Sequence, residues 1–328
     1  MAQFDGFLMR DTISDTGQVP SPGYPYSSPD LIAHAQVADP VTYFTSNYGS
    51  DPNQAVQLGS RLNPVYVRAK NLSEQPKSGY YISVFRANTS LFMRPSIWRN
   101  NALSTADGRT SVPLPATVAP GAVGVGADPF LLDAVSSNLF CCVGMVSPSA
   151  TPQIPTDFQN YEAYIAWVRN NRNVCCRNLN TVRSYPNRWF ERVDAFSNPS
   201  QTDSVPTLFE VTLRGTLPPG STFGLQCAPL GIATNWNIDH GPRQVTSGIT
   251  PPMFDGMVTT WAILPTNASW PPNTSIDTAV WVGFPDTSPM AQYATPLSEI
   301  GVRAEEVEGL GNGILVRLGN CQTLFVSQ

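Results

Sequence analysis

The sequence predicts an all-β protein built from two tandem β-sandwich domains, with one short helix inserted in the first domain. Short runs in which apolar and polar residues alternate recur along the chain, as in strands with one buried face. Turn-forming residues separate these runs, with 31 prolines and 24 glycines in 328 residues. Charged residues make up only 13%, which is too few for a coiled coil or for long solvated helices.

The first 60 residues are predicted to form an extended arm packed on the first domain. Proline recurs at 20, 22, 25 and 29, which favours an extended path with few backbone ladders of its own. The same segment contains Phe4, Phe7, Tyr43 and Phe44, and disordered tails are poor in such side chains. We therefore expect residues 1–60 to be structural.

Residues 61–185 are assigned to the first sandwich. Strands are predicted over residues 64–72, 80–86, 138–146 and 173–182. One helix is predicted over 156–170, because Thr156 and Gln159 match a capping box. Its apolar face is formed by Phe158, Tyr161, Ile165 and Val168.

Residues 186–328 are assigned to the second sandwich, after an aromatic connector that contains Pro186. Proline and glycine turns separate its predicted strands. These strands cover residues 208–214, 222–227, 257–264, 279–284, 313–318 and 321–326.

Three segments of the first domain resemble bacterial immunoglobulin-like modules of the CARDB type, named for cell-adhesion-related domains. Residues 66–72 and 84–86 are similar to the opening hairpin of such modules. Residues 139–146 resemble a later strand, and residues 173–179 the closing strand. The resemblance spans about residues 62–183 and implies an Ig-like sandwich that serves adhesion, scaffolding or display. It supplies no catalytic residues, and the second domain is Ig-like by its strand pattern alone.

Charge and hydropathy exclude two classes of partner. The formal net charge is -5 and the isoelectric point about 5.0, which argues against binding a nucleic-acid backbone. No stretch approaches the 18 or so apolar residues of a membrane-spanning helix. The first residues lack a basic segment followed by an apolar run. We expect a protein that is cytoplasmic when synthesised, and any export to follow a route without a cleaved signal peptide.

The six cysteines include two adjacent pairs, Cys141 with Cys142 and Cys175 with Cys176. Their spacing matches neither a zinc site nor a small disulfide scaffold. Both pairs lie in predicted strands that we expect to be neighbours, so that one member of each pair faces the core. In a reducing cytoplasm we predict no disulfide among these four residues.

No catalytic constellation is evident, and we predict no enzyme activity, metal or cofactor. The two histidines, His34 and His240, lie in turn-rich segments, and no nucleophile elbow or phosphate-binding loop accompanies them. Four aspartates of the arm are interpreted as turn caps, with a Ca²⁺ site at a domain edge as the alternative. They are Asp5, Asp11, Asp15 and Asp30.

Aromatic residues in predicted loops are the best functional candidates. Exposed aromatic rings can anchor a protein partner or stack on a glycan, although they can also seal the ends of a sandwich. The candidate contacts are Trp98, Trp189, Trp236 and Trp270. The sequence thus predicts a non-enzymatic recognition or assembly protein that binds a protein partner, a cell surface or a second copy. The alternatives are an effector or accessory component of a bacterial toxin or contractile injection system, and a carbohydrate-binding module.

Overall fold

The computed structural model describes residues 2–22, 24–57, 62–87, 91–134, 141–179, 181–184 and 188–326. About 40% of the chain is strand and 13% is helix, in several mainly antiparallel sheets, which confirms the predicted all-β class. No helix among the described residues is long and apolar enough to cross a membrane.

The chain divides into two compact units. Unit 1 comprises residues 1–88, 93–158 and 163–179, and unit 2 comprises residues 89–92, 159–162 and 180–328. The main division, between residues 179 and 180, lies a few residues before the boundary predicted at 185/186. The two four-residue segments that belong to unit 2 were placed with the first domain by the sequence prediction.

The elements up to residue 179 are short strands, three longer strands and three helices. The strands are β1 (Ala2–Gln3), β2 (Phe7–Leu8), β3 (Gln18–Val19), β4 (Leu31–Ala33), β5 (Val56–Gln57), β6 (Asn63–Asn71), β7 (Tyr81–Ala87), β8 (Val112–Pro113), β9 (Val123–Val125), β10 (Phe130–Leu132), β11 (Cys141–Ser147) and β12 (Val174–Asn178). The helices are α1 (Pro40–Ser46), α2 (Pro95–Trp98) and α3 (Tyr161–Asn170).

Two sheets of unit 1 share one apolar core. The first is organised on β6, which pairs with β2, β4, β9 and β10, and the second has the order β12-β11-β7-β8. Val65, Val67 and Ala69 of β6 lie in one buried cluster with Ile82 and Val84 of β7. Two packed sheets of this kind form a β-sandwich. The predicted strands 64–72 and 80–86 are therefore confirmed as β6 and β7. The predicted strand 138–146 is confirmed from Cys141 onward, and its first three residues lie outside the described residues.

Helical segments cover faces of these sheets that point away from the shared core. Phe44 of α1 packs with Ile32 and Tyr66, while Trp98 of α2 packs with Phe85 and Val143. Unit 1 is therefore a sandwich with added helical layers rather than a minimal immunoglobulin-like domain.

The first 60 residues, predicted to form an extended arm packed on the first domain, contribute short strands that pair along one side of β6. β2 pairs with the end of β6, Phe7 opposite Asn71, and β4 pairs with its centre, Leu31 opposite Val67. The sequence does not predict these strands, because a strand of two or three residues is too short to show a period of two.

The helix α3 begins at Tyr161, five residues later than predicted. The backbone N–H of Phe158 donates to the Asp157 carboxylate at 3.0 Å, a local bond that competes with helix formation. The ring of Phe158 packs back on Tyr164 and Trp167, with centroids 5.5 Å away in each case. The Thr156 capping box is therefore not used. The helix end at Asn170 agrees with the prediction.

The elements after residue 180 are mostly long antiparallel strands. They are β13 (Thr181–Ser184), β14 (Trp189–Ser197), β15 (Val205–Arg214), β16 (Thr222–Cys227), β17 (Ile232–Ala233), β18 (Trp236–Asn237), β19 (Arg243–Thr250), β20 (Asp255–Ile263), β21 (Thr274–Phe284) and β22 (Ile314–Val326). The same part of the chain also contains one short helix, α4 (Leu297–Ile300), and four 3₁₀ turns, at Ala228–Leu230, Ile238–His240, Pro289–Tyr293 and Ala304–Glu306.

Unit 2 is also a sandwich of two sheets. One has the order β19-β15-β21-β22-β13 and the other the order β14-β20-β16-β17, with β18 paired to β16. Inward-facing rings join the sheets: Phe196 packs on Phe209 with centroids 5.5 Å apart, and Phe190 packs on Phe325 at 5.2 Å.

Two details of unit 2 differ from the prediction. The strands predicted at 313–318 and 321–326 form one strand, β22, because a bulge between Arg317 and Gly319 lets pairing with β21 continue. The sequence predicts no strand at β14 or β19, and the predicted connector, residues 184–190, covers only the first two residues of β14.

Candidate functional site

The outward surface of the β14–β20–β16 sheet is the strongest candidate for a functional site. Residues directly opposite each other in a sheet point to the same side, and Trp189 lies opposite Ile263, Val193 opposite Thr259 and Ala195 opposite Met257. The side chains of Trp189, Val193 and Met257 are 56%, 46% and 59% exposed. We call the surface formed by Trp189, Val193, Met257, Trp261 and Ile263 the outer face.

The ring of Trp261 is held over a glycine of the neighbouring strand. Trp261 lies opposite Gly224 of β16, and a Cβ at Gly224 would fall 2.5 Å from Cζ2 of Trp261. The absent side chain therefore leaves the space that the indole occupies across β16. Because Trp261 is only half-buried there, the ring adds apolar area to the outer face.

This composition is unusual for the solvent side of an antiparallel sandwich. Such surfaces normally carry polar residues that alternate with inward apolar ones. Here the alternation persists, since Phe190, Arg192 and Asp194 are buried, but three of the exposed positions are large and apolar. Glu191, opposite Trp261, adds one charge to the surface. A contiguous exposed apolar area of this kind is typical of an interaction site.

Two of the four predicted contact residues are buried, which favours for them the alternative that such rings seal the sandwich. Trp98 is fully buried in α2 and donates from Nε1 to the Met93 carbonyl at 2.9 Å. Trp270 is 3% exposed and stacks on Phe325, with centroids 4.0 Å apart. Both rings stabilise the core, so neither is available for a ligand. Pro95, which suggested a loop around Trp98, is the first residue of α2, whereas Trp270 lies in an irregular segment after β20.

The other two predicted tryptophans differ in their surroundings. Trp189 opens β14 and is the most exposed tryptophan of the outer face. Trp236 lies opposite Phe223, whose side chain is buried, and its ring is half-buried 5.5 Å from that phenylalanine. Trp236 therefore lies on the core side of the sheet edge and is separate from the outer face.

Sequence reasoning missed Val193, Met257, Trp261 and Ile263 as site residues. The available signal was the alternation in residues 189–197, of which the predicted connector covers only the first two, and in the predicted strand 257–264. Which face a strand buries depends on its partner sheet, and this information is not local to the strand.

The buried thiols are structural. Cys141, Cys142, Cys175 and Cys176 are all at most 2% exposed, and burial raises the pKa of Cys142 to about 12. Burial also raises the pKa values of Cys141 and Cys176 well above the usual range for a cysteine thiol. A thiolate is the reactive form, so these side chains are poor nucleophiles at neutral pH.

A polar cluster lies between the two sheets of unit 2. Arg192 donates to the Asp194 carboxylate at 2.8 Å and to Oγ1 of Thr278 at 2.6 Å, while Cys321 Sγ lies 3.2 Å from Asp194. Burial acts to lower the pKa of Arg192, but Cys321 and Asp194 outweigh it and raise that pKa. The cluster is enclosed by the sandwich, so it stabilises the packing of the sheets and is closed to substrates.

Three of the four aspartates near the N-terminus, Asp11, Asp15 and Asp30, form ion pairs, which argues against the Ca²⁺ alternative for them. Asp11 and Asp15 both accept from Arg172, and Asp30 accepts from Arg10 and Arg68. Arginine guanidinium groups thus occupy the positions around these carboxylates that a cation would need. Among the described residues, no group of three or more potential ligands is arranged to hold a metal ion. His34 lies beside Gln54, with 3.1 Å between Nε2 atoms, and His240 is exposed in a 3₁₀ turn.

Comparison with known proteins identifies no family for this chain. No family model and no curated protein matches it. Weak structural likenesses include the calcium binding domain CBD12 of CALX1.1, at 9% identity over 82% of this chain and 95% of that one, with a TM-score of 0.20. Red sea bream transglutaminase matches at 11% identity over 84% of this chain and 30% of that one, with a TM-score of 0.21. At these scores neither likeness supports an inference about this chain.

Proposed function

We propose that this chain is a non-enzymatic recognition protein whose outer face binds a protein partner. The observation that carries the proposal is the exposure of Trp189, Val193 and Met257 on one rigid sheet surface. Aromatic residues and methionine are enriched at protein interfaces, and a few of them supply most of the binding energy. The strands fix the backbone at these positions, so binding requires no backbone ordering there.

A carbohydrate ligand is the second candidate, and the position of Trp261 favours it. An indole that lies across Gly224 with its outer side half-exposed offers a platform of the kind on which the apolar face of a sugar ring can stack. A protein partner would make use of more of the outer face than a sugar. Val193 is aliphatic and Met257 is flexible, so both add apolar area, but neither has a flat ring on which a sugar could stack.

The test compares the wild-type chain with a Trp189→Ser/Met257→Ser double variant. Proteins from the source cells that are retained by immobilised wild type are quantified, and binding of each is measured with purified components. Loss of two anchor side chains at an interface costs roughly 2 kcal/mol or more, so affinity falls at least about 30-fold. A Met253→Ser variant is the matched control, because Met253 is 67% exposed and lies in a turn before β20.

The outcomes separate the candidates. If the double variant keeps its melting temperature but loses a partner that the control retains, the proposal is supported. If partner binding is unaffected by the double variant, the outer face is not the recognition surface. If a glycan array shows sugar binding that Trp261→Ala abolishes and no protein is retained, the carbohydrate candidate replaces the proposal.

A further inference from the structure

A cavity of about 580 Å³ opens at one end of the unit 2 sandwich. It lies where β15 begins, β21 ends and β22 begins, and all of its lining residues belong to unit 2. Its volume is within the range of about 300–1,000 Å³ that holds small ligands. We call it the end pocket. It shares no described lining residue with the outer face.

The inner part of the end pocket is apolar. Tyr161 is 2% exposed, and its hydroxyl donates to the Ser197 carbonyl at 2.7 Å, which fixes the ring. Phe284 and Leu310 are 7% and 6% exposed beside it. The small area that these side chains expose is too little for a sugar ring to stack on, but this narrow apolar strip can contact an alkyl chain.

Gly283 allows Pro206 and Leu310 to pack closely against its backbone in the lining of the end pocket. A Cβ at Gly283 would lie 2.8 Å from Cβ of Pro206 and 2.9 Å from Cδ1 of Leu310. Such a contact would force Leu310 or Pro206 away and change the shape of the pocket. Pro206 and Leu310 can therefore approach the backbone at position 283 this closely only because that residue is glycine.

The charge of the lining is entirely negative. Glu162, Asp203 and Asp286 line the end pocket, and no described lining residue is lysine, arginine or histidine. Neutral hydroxyl groups orient two of these carboxylates: Ser288 donates to Glu162 at 3.0 Å and Ser200 donates to Asp203 at 2.9 Å. Within the described part of the chain, none of the three carboxylates joins an ion pair. This differs from the buried aspartates of unit 1, which are neutralised by arginine.

We propose that the end pocket binds an alkyl chain that ends in an ammonium or guanidinium group. The alkyl part packs against Phe284, Leu310 and the ring of Tyr161, and the cation lies among the three carboxylates. Asp203 and Asp286 are exposed and Glu162 is half-buried, so these carboxylates lie toward the solvent side of the pocket. Carboxylates beside apolar walls attract a cation more strongly than they would in bulk water, because the walls exclude part of the solvent. A lysine or arginine side chain of a peptide and a free polyamine share this chemistry.

The experiment titrates the full chain with three probes and follows binding by calorimetry and by NMR. The probes are Nα-acetyl-lysine amide, its Nε-acetylated neutral counterpart, and spermidine. We expect saturable binding of the charged lysine probe, no binding of the neutral one, and affinity that falls as salt is added. Tighter binding of spermidine than of Nα-acetyl-lysine amide assigns the pocket to free polyamines, and tighter binding of Nα-acetyl-lysine amide assigns it to a side chain of a polypeptide segment.

Variants locate the binding in the end pocket. Glu162→Gln with Asp286→Asn preserves shape and removes two charges, and we expect affinity for the charged probe to fall about tenfold or more. Asp239→Asn, an exposed carboxylate in a 3₁₀ turn, is the matched control and leaves affinity unchanged. A Gly283→Val variant that retains its fold also loses binding.

Two results overturn the proposal: equal binding of the charged and neutral probes, or no saturable binding of any cationic probe. The Trp189→Ser/Met257→Ser variant distinguishes this proposal from the proposed function, because it leaves probe binding intact even if the outer face binds nothing.

Discussion

Arg68 shows why buried arginines recur in this chain. Its guanidinium group is fully buried and donates to Asp30, to the carbonyls of Pro29 and Ser50, and to further carbonyls of Phe44 and Asn47. A planar fork with five N–H groups can satisfy carbonyls in several directions at once. The Arg68 side chain thus binds the N-terminal segment at four places, namely residues 29–30, 44, 47 and 50.

We predict that Arg68→Lys destabilises the protein by about 2–4 kcal/mol. Lysine brings three donors on a flexible stem, so buried carbonyls that now accept from Arg68 lose their partners, and Asp30 loses part of its neutralisation. Chemical denaturation measures the change in the free energy of unfolding. Arg214→Lys is the matched control, because the Arg214 side chain is 62% exposed, and we expect a change within about 0.5 kcal/mol. Equal stability of the two variants would contradict this role for Arg68.

The pairing of β11 with β12 decides what the adjacent cysteines can do. Cys141 lies opposite Asn178 and Cys176 lies opposite Val143, so these two thiols are diagonal neighbours rather than a directly opposed pair. Cys142 and Cys175 are related in the same way on the other face. Diagonal positions have Cβ atoms about 7–8 Å apart, beyond the distance of about 3.5–4.5 Å that a disulfide spans.

We therefore predict six free thiols that are unreactive in the folded protein made in a reducing cytoplasm. Burial opposes thiolate formation, so a thiol reagent at mildly alkaline pH labels few or none of them before unfolding. Labelling in denaturant should then count all six. Mass spectrometry measures both states. A count of four or fewer in denaturant, or rapid labelling of the native protein, contradicts the assignment.

At the scale of the whole molecule, the N-terminal residues are part of the core of unit 1. Phe7, Met9 and Leu31 lie in the same buried cluster as residues of β6 and β7. The first 60 residues thus contribute apolar area that the sandwich cannot replace, because its two sheets would be left with exposed faces and an unpaired edge along β6.

We predict that deletion of residues 1–60 makes the protein insoluble or lowers its melting temperature sharply. A pair of point variants keeps the test informative if the deletion does not fold. Phe7→Ala removes a side chain that is 2% exposed and costs about 3–5 kcal/mol. Ile13→Ala, at a side chain 45% exposed, costs about 0.5 kcal/mol or less. A truncated chain that melts at the wild-type temperature and stays monodisperse would show that the segment is dispensable.

Local sequence patterns were enough to predict the all-β class and many strand positions, including β6, β7 and β16. Alternation with a period of two is a local property, and residues 222–227 show it clearly enough to be assigned without knowing the neighbouring strands. Local patterns also placed the end of α3 at Asn170, and they selected Trp189 as a contact residue of the proposed surface.

The side of each strand that is buried, and the segments that meet, became known from the folded structure. Trp270 and Trp189 look alike in the sequence, yet one stacks on Phe325 in the core and the other is exposed on the outer face. The end pocket likewise joins residue 162 to residues 203 and 286. The physical reason is that burial depends on contacts between residues far apart in the chain, whereas alternation, turns and caps depend on near neighbours.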